Sequence, residues 1–435
     1  MNVICFLVSC IFLCINLVIK KMKPMHPSIL FFGMWSFIIG LSLMGKYNIY
    51  KPSDDAYILI LLMFVFFELG SLINITSQTT LRIKKIRRGG TVLNINIYYF
   101  CVYIALLFLC YDVFVLIKYL TAGVPLWQIR NWLLEEYGSN NPILANRSFI
   151  EEIIRTVFLY PIGLIMPPIT AYVFFDSSKR QCKKKVLGLS IIYLILYSIS
   201  GGGGRLRYIY FMGCFIIAYL SFGGERQWNH KFKKYRKYLI CFCTLLIFAV
   251  AITTRIRVGM GYLFQQIYTY FALPPTLLSV WLPEIEKVNH TYGLLTLFGI
   301  HSYFFRALSM VGLGVFVPSK YYDAFEQLLN AQVFKNVGYG IGNAFVSPVY
   351  YFYVDGGIFG VCFFSFLFGI VVNRLYKKFL KDINEKSFSS YALMMYGVFM
   401  TFQTIITALP SYFISFILLQ FIFKKPTVKI ENEIS

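Results

Sequence analysis

The chain is dominated by uninterrupted apolar runs of about 20 residues, the length an α-helix needs to cross a hydrocarbon core of roughly 30 Å. They lie near 3–19, 27–45, 55–75, 95–117, 153–175, 353–373 and 388–408, with shorter runs near 186–200, 206–222, 238–253 and 411–423. In lipid every backbone N–H and C=O must find its partner inside the protein, so these runs predict helices. Composition agrees, at 58% hydrophobic and only 14% charged, against about a quarter charged in a soluble domain.

Lysine and arginine in short loops resist translocation, so their positions set orientation. They cluster at Lys20 to Lys23, Arg82 to Arg88, Lys179 to Lys185, Arg226 to Lys237, Arg374 to Lys386 and Lys424 to Lys429. If all six clusters face the cytoplasm, the spans between them come in pairs. Eleven helices, with the N-terminus outside and the C-terminus cytoplasmic, satisfy that condition. The expected fold class is all-α: a polytopic membrane helix bundle with a long outer-face segment of short and re-entrant helices. Its expected divisions are 1–253, a bundle of eight helices with an outer loop at 118–152; 254–352, the outer segment; and 353–435, three further helices.

Almost all of the formal net charge of +22 falls in those six clusters. The excess is a topology signal beside anionic lipid, and nucleic acid is not an expected partner. Residues 1–19 lack a charged start and a small-residue cleavage site, and they read as a retained first helix. Nine of the ten cysteines lie in apolar runs, and no pair has metal-ligand spacing. Neither disulfides nor a metal nor another cofactor is expected.

Polar chemistry is confined to a few places. Glu68 is a carboxylate inside a span, either a functional group or an interhelical hydrogen-bonding one. Asp112, nearer an outer end, is expected to pair with Lys118. In the loop at 118–152, Trp127, Ile129, Trp132 and Leu133 share one side of a short helix, which suits either an interfacial anchor or, with Arg130, a surface that meets a sugar or phosphate. Gly201 to Gly204 interrupt an apolar stretch just before Arg205 and Arg207. Four glycines oppose helix. Their backbone N–H groups beside two arginines read either as an anion cradle or as a tight turn against lipid phosphates.

The longest polar stretch runs from Thr254 to Gly360. Arg255 and Arg257 point to one side only in an extended chain. Pro274, Pro275 and Pro283 are expected to break the next apolar stretch into pieces too short to span. The stretch 292–316 carries His301 and Arg306, and a single crossing there would put every later basic cluster outside. It is therefore expected to re-enter or to lie along the surface, with 321–335 as an amphipathic surface helix. Asn343, Tyr350, Tyr351, Tyr353 and Asp355 then surround the outer end of the ninth helix. Aromatic faces with Asn and Asp suit a carbohydrate site, a tyrosine belt would look alike, and Asp355 before two glycines also fits a helix start.

The Ser-Gly-Gly-Gly-Gly-Arg phrase at 200–205, Gly-Asn-Ala-Phe at 342–345, and Tyr350 to Gly357 before a helix give the chain its resemblance to a family. Over nearly its full length it resembles the Wzy-type polymerases of bacterial surface polysaccharides, O antigen and capsule, including the oligosaccharide repeat unit polymerases. That resemblance implies a metal-independent glycosyltransferase in the bacterial inner membrane. It would transfer a growing glycan from polyprenyl pyrophosphate onto a lipid-linked repeat unit at the outer leaflet. Implied partners are polyprenyl-pyrophosphate-linked oligosaccharides, membrane lipid, a chain-length regulator protein and a flippase. The arginine-to-glycine spacing described for some members is met only by Arg147 with Gly163 and Arg207 with Gly223, and it is not carried over.

For that chemistry, Arg205, Arg207, Arg255, Arg257 and Arg306 are the candidates to hold the pyrophosphate, since a guanidinium is a bidentate partner for growing phosphate charge. His301, Asp355 or a loop carboxylate such as Glu136 would accept the proton of the attacking hydroxyl. Arg130, Asn343, Tyr350 and Tyr353 are the candidate glycan contacts. A glycan ligase and a flippase of lipid-linked oligosaccharides are the alternatives.

Overall fold

The computed structural model describes residues 1–19, 26–73, 92–125, 128–129, 132, 148–175, 180–200, 206–222, 240, 244, 246–248, 263–338, 340–342 and 345–424. Within these the chain is helical, apart from two antiparallel pairs of two-residue strands. The helices are α1 (Asn2–Ile19), α2 (Pro27–Met44), α3 (Asp54–Leu72), α4 (Ile95–Thr121), α5 (Phe149–Ile154), α6 (Tyr160–Phe175), α7 (Arg180–Ser200) and α8 (Leu206–Phe222). They continue with α9 (Leu263–Ile285), α10 (Phe298–Met310), α11 (Ser319–Asn330), α12 (Ser347–Lys381), α13 (Glu385–Phe399) and α14 (Pro410–Ile422). Among the described residues, six helical stretches are long and apolar enough to cross a membrane: α1, α2, α3, α4, residues 150–175 and α12. The protein is a helical membrane bundle.

The chain divides into two compact units, each assembled from segments distant in sequence. One comprises 1–80, 254–377 and 394–413, and the other 81–253, 378–393 and 414–435. This grouping differs from three consecutive segments, because α1 to α3 group with the polar stretch of the second half.

In the first unit, helices meet through rings and glycines. Phe31 stacks on Phe67 with centroids 4.0 Å apart, Phe64 closes the cluster edge-on, and the Trp35 indole N–H donates to Thr401 Oγ1 at 3.1 Å. Next to Phe67 on α3, a Cβ on Gly70 would lie 2.1 Å from the Phe366 carbonyl oxygen, and one on Gly369 would lie 2.2 Å from that of Phe67. Two glycines facing each other's backbone give the close approach that membrane helices use in place of a hydrophobic drive. Glu68 is buried there, and it accepts from Ser71 Oγ within its own helix at 3.1 Å, not across helices.

The prolines correct one expectation. α9 runs unbroken through Pro274, Pro275 and Pro283. Each proline removes one backbone donor, but most of the residues from Ala272 to Leu282 are buried, and α9 is fastened to the turn before α3. There Thr276 Oγ1 donates to Tyr50 O and Ser53 N donates to Ser279 Oγ. α11 ends at Asn330, before the expected 335, because Lys335–Asn336 pairs as a strand with Ile341–Gly342.

The second unit handles its prolines the same way, and there the replacement partner is visible. Pro168 cannot donate to Leu164 O in α6, and the Tyr210 hydroxyl of α8 takes that carbonyl at 2.8 Å. Tyr193 of α7 donates to Leu159 O at 2.9 Å. Its hydroxyl would lie 2.4 Å from a Cβ on Gly163, so that position admits only glycine without a shift.

Candidate functional site

The candidate site grows from a break in the longest helix. α12 leaves helical geometry at Gly356 and Gly357, the latter with φ 59 and ψ −145, a conformation that suits a residue without Cβ. A break strands the carbonyls of the turn before it. Val354 O receives the Thr291 N–H at 3.2 Å, and Asp355 O receives the Tyr292 N–H at 3.0 Å. His290 stands over the break, with Nδ1 3.3 Å from Val354 O.

The Asp355 carboxylate completes the attachment. It is buried, and it accepts from Thr291 Oγ1 at 2.5 Å, Leu295 N at 3.1 Å and Thr296 N at 2.7 Å. This ties down the turn at 291–297, which feeds directly into α10. Beyond the turn, a Cβ on Gly299 would lie 2.6 Å from Thr407 O, and Thr407 Oγ1 donates to Thr296 O at 2.7 Å. α10 is thus fixed at its N-terminus between two interrupted stretches, the break in α12 and the irregular 400–409 segment between α13 and α14.

His301 follows on α10. Its Nε2 lies 2.8 Å from Leu294 O. A carbonyl only accepts, so Nε2 carries the proton and Nδ1 presents a lone pair. That Nδ1 is buried and has no hydrogen-bond partner. Burial pushes the imidazole below the usual histidine range, while the Leu294 carbonyl and the Asp355 charge act against it. The neutral base is the favoured form.

Tyr321 of α11 stands beside it, with ring centroids 6.0 Å apart, stacked on Phe298 at 5.4 Å. Burial pushes the Tyr321 hydroxyl up, and the nearby Arg306 guanidinium acts in the other direction. Two more buried hydroxyls, Thr296 Oγ1 and Ser302 Oγ, have no partner. An unpaired buried polar atom costs about 1–3 kcal/mol, so this short stretch holds polar capacity that the fold itself does not use.

Several expected site residues have partners within the fold. Asp355, expected as a proton acceptor or a helix start, closes no helix of its own. Its oxygens are committed to the 291–297 turn, and it acts by positioning α10. Tyr350, expected to meet glycan, is buried with its hydroxyl donating to Gln327 O and Oε1 at 3.2 and 3.1 Å. Tyr351 is also buried and accepts from Thr404 Oγ1 at 2.9 Å. Tyr353 is half-buried. His301 and Arg306 share α10, whereas Arg207 lies in the second unit at the start of α8, its guanidinium over the Tyr197 ring at 5.1 Å. Arg130, Glu136, Arg205, Arg255, Arg257 and Asn343 lie outside the described residues.

The second unit holds a polar centre that sequence reasoning missed. Asp112 does not pair with Lys118. It takes both terminal nitrogens of Arg155 at 2.6 Å each, and Glu151 Oε1 takes Nη2 at 2.6 Å and Nε at 2.9 Å. Arg155 is 2% exposed and opens a π-helical turn, Arg155–Leu159. The signal was present locally, because Glu151 and Arg155 stand four apart at the head of an apolar run. In the outer loop, Ile129 is fully buried and packs with Leu116 of α4, and Trp132 lies against Tyr119. Those two residues face protein.

Among the described residues no group of His, Cys, Asp and Glu has the arrangement of a metal site. Comparison with family models, with curated proteins and with solved structures gives no match.

Proposed function

We propose that the chain is a polymerase of a bacterial surface polysaccharide, joining glycans carried on polyprenyl pyrophosphate at the outer leaflet of the inner membrane. The reading carries the eleven-span topology and the cytoplasmic C-terminus expected from the basic clusters. It also carries a flippase and a chain-length regulator as partners. The observation that supports it most directly is the unpartnered Nδ1 of His301, held beside Tyr321 on a short helix that hangs from a broken span.

In the reaction an acceptor hydroxyl oxygen forms a bond to the anomeric carbon of the donor glycan, and the bond from that carbon to the pyrophosphate oxygen breaks. The hydroxyl proton passes to His301 Nδ1, and the departing pyrophosphate keeps the electron pair. Arg306, with Arg255 and Arg257, is assigned to that growing charge. Phe305 and Tyr321 flank the imidazole, with centroids 5.3 and 6.0 Å away, so the substrate sugar must part these rings to reach it. Asp355 does not touch substrate and works through the 291–297 turn.

Transport of a lipid-linked oligosaccharide is the second reading. It is favoured by the interrupted stretches at 356–357 and 400–409, since broken helices at a polar centre are the usual build of transporters. Surface glycan from a strain lacking the protein separates the readings. Loss of a polymerase leaves single repeat units attached to the cell surface. Loss of a flippase leaves none, and loss of a ligase leaves polymer on its lipid carrier.

A further inference from the structure

α10 exposes an apolar stripe along its length. Leu297, Ile300, Phe304 and Val311 are exposed at spacings of three, four and seven, which sets them in one stripe along a helix. No charged side chain interrupts the stripe. Phe298, Gly299 and Ser302 form the opposite, buried face, and helical spacing turns Arg306 toward that same side. Past the helix the stripe ends in an apolar tip, where Val315 is 93% and Phe316 71% exposed.

The stripe from 297 to 311 is about 21 Å long at 1.5 Å per residue, too short for a hydrocarbon core of roughly 30 Å. Its depth follows from α12. From Ile358, the first residue past the break, to Arg374, the first basic residue of the cluster that ends α12, the helix rises about 24 Å. With Arg374 at one water boundary of a core of roughly 30 Å, the break at Gly356 therefore lies near the other. The backbone bonds from Thr291 and Tyr292 hold the start of the α10 segment at that level. Ile358 and Phe359, exposed just beyond the break, begin the lipid-facing side of the span there, at the depth where the stripe starts.

We infer that α10 and the 311–316 tip form an in-plane anchor seated in the leaflet opposite the basic end of α12, with acyl chains of membrane lipid as the partner of its apolar stripe. The helix then works as a partition. One side faces hydrocarbon, and the other carries His301 on its flank and Arg306 beneath. The inference does not rest on the polymerase reading, since a transporter or a ligase would use the same seating.

The native protein in vesicles of phosphatidylethanolamine and phosphatidylglycerol tests it, with a diazirine placed mid-chain in a fraction of the phospholipid. Tryptic fragments 288–306 and 307–320 are read by mass spectrometry against the fragment containing Ile358 as the lipid-facing control. A parallel sample receives a water-soluble carbene reagent. The expected result is lipid adducts on both fragments at a level similar to the control, with little aqueous labelling at Ile300, Phe304, Val315 and Phe316. Heavy aqueous labelling without lipid adducts overturns the inference. So does the absence of both labels, which would mean that protein covers the stripe. Neither outcome bears on glycan joining, which the deletion strain reads separately.

Discussion

Two buried polar centres, one in each compact unit, are built on opposite plans. Around Arg155 the guanidinium is held on three of its nitrogens: both Asp112 oxygens and one Glu151 oxygen take four donor contacts from it. Around His301 the support is equally tight, with Asp355 holding the turn and Leu294 holding Nε2, yet Nδ1, Thr296 Oγ1 and Ser302 Oγ are left over. A closed centre joins helices, since a buried charge with all its partners has nothing left to offer a ligand. A centre braced from outside and unsatisfied within is the arrangement that reactivity needs.

Removing the cation should separate the two most sharply. Arg155→Met leaves two carboxylates in an apolar setting, and breaking a buried pair costs about 3–5 kcal/mol. The expected outcome is loss of folded protein from the membrane, read by immunoblot and thermal unfolding in detergent, with surface glycan falling only in step with abundance. Normal abundance with lost polymer would move the chemistry to the second unit.

His301→Ala should do the reverse. Removal of a general base lowers rate about 10²–10⁴-fold, so single repeat units are expected at the cell surface with normal protein levels. Arg255→Ala and Arg257→Ala, made singly, are expected to give the same pattern, and full ladders from both would remove those residues from the mechanism. Asp355→Asn comes next, because it weakens acceptors to backbone N–H groups at a cost of about 1–3 kcal/mol. It is expected to lower the rate less than His301→Ala and to move the acid limb of the pH profile, since the imidazole loses both its positioning and a nearby negative charge.

The smallest effect is on stability against pH. Burial holds the folded His301 imidazole below its ordinary range. As pH falls through that range the unfolded chain takes up the proton first, so stability is full above it and declines below it. His301→Gln should remove this part of the decline. An unchanged acid dependence of thermal unfolding would mean that another group sets it.

Spans such as α2, α3 and α4 were legible in the sequence because a lipid-facing helix needs only length and apolarity. α9 was not, because the cost of its prolines is met by contacts to the turn at 50–53, more than 200 residues away. The Asp112 to Arg155 pair spans 43 residues, and Lys118 offered a nearer cation, so proximity along the chain misled. At the candidate site the residue types were legible but their division of labour was not. Asp355 and His301 both read as proton acceptors, and only the fold assigns the carboxylate to a turn while leaving one imidazole nitrogen unpaired. Tyr350 read as a glycan platform because burial against Gln327 leaves no periodic mark.

If lipid-linked glycans are joined through His301, purified protein in liposomes with a polyprenyl-pyrophosphate-linked repeat unit and no nucleotide sugar will show it. The wild-type chain is predicted to yield a ladder of polymer and free polyprenyl pyrophosphate, and His301→Ala to leave the single unit intact. A ladder of equal rate from His301→Ala, or none from the wild-type chain, would contradict the account.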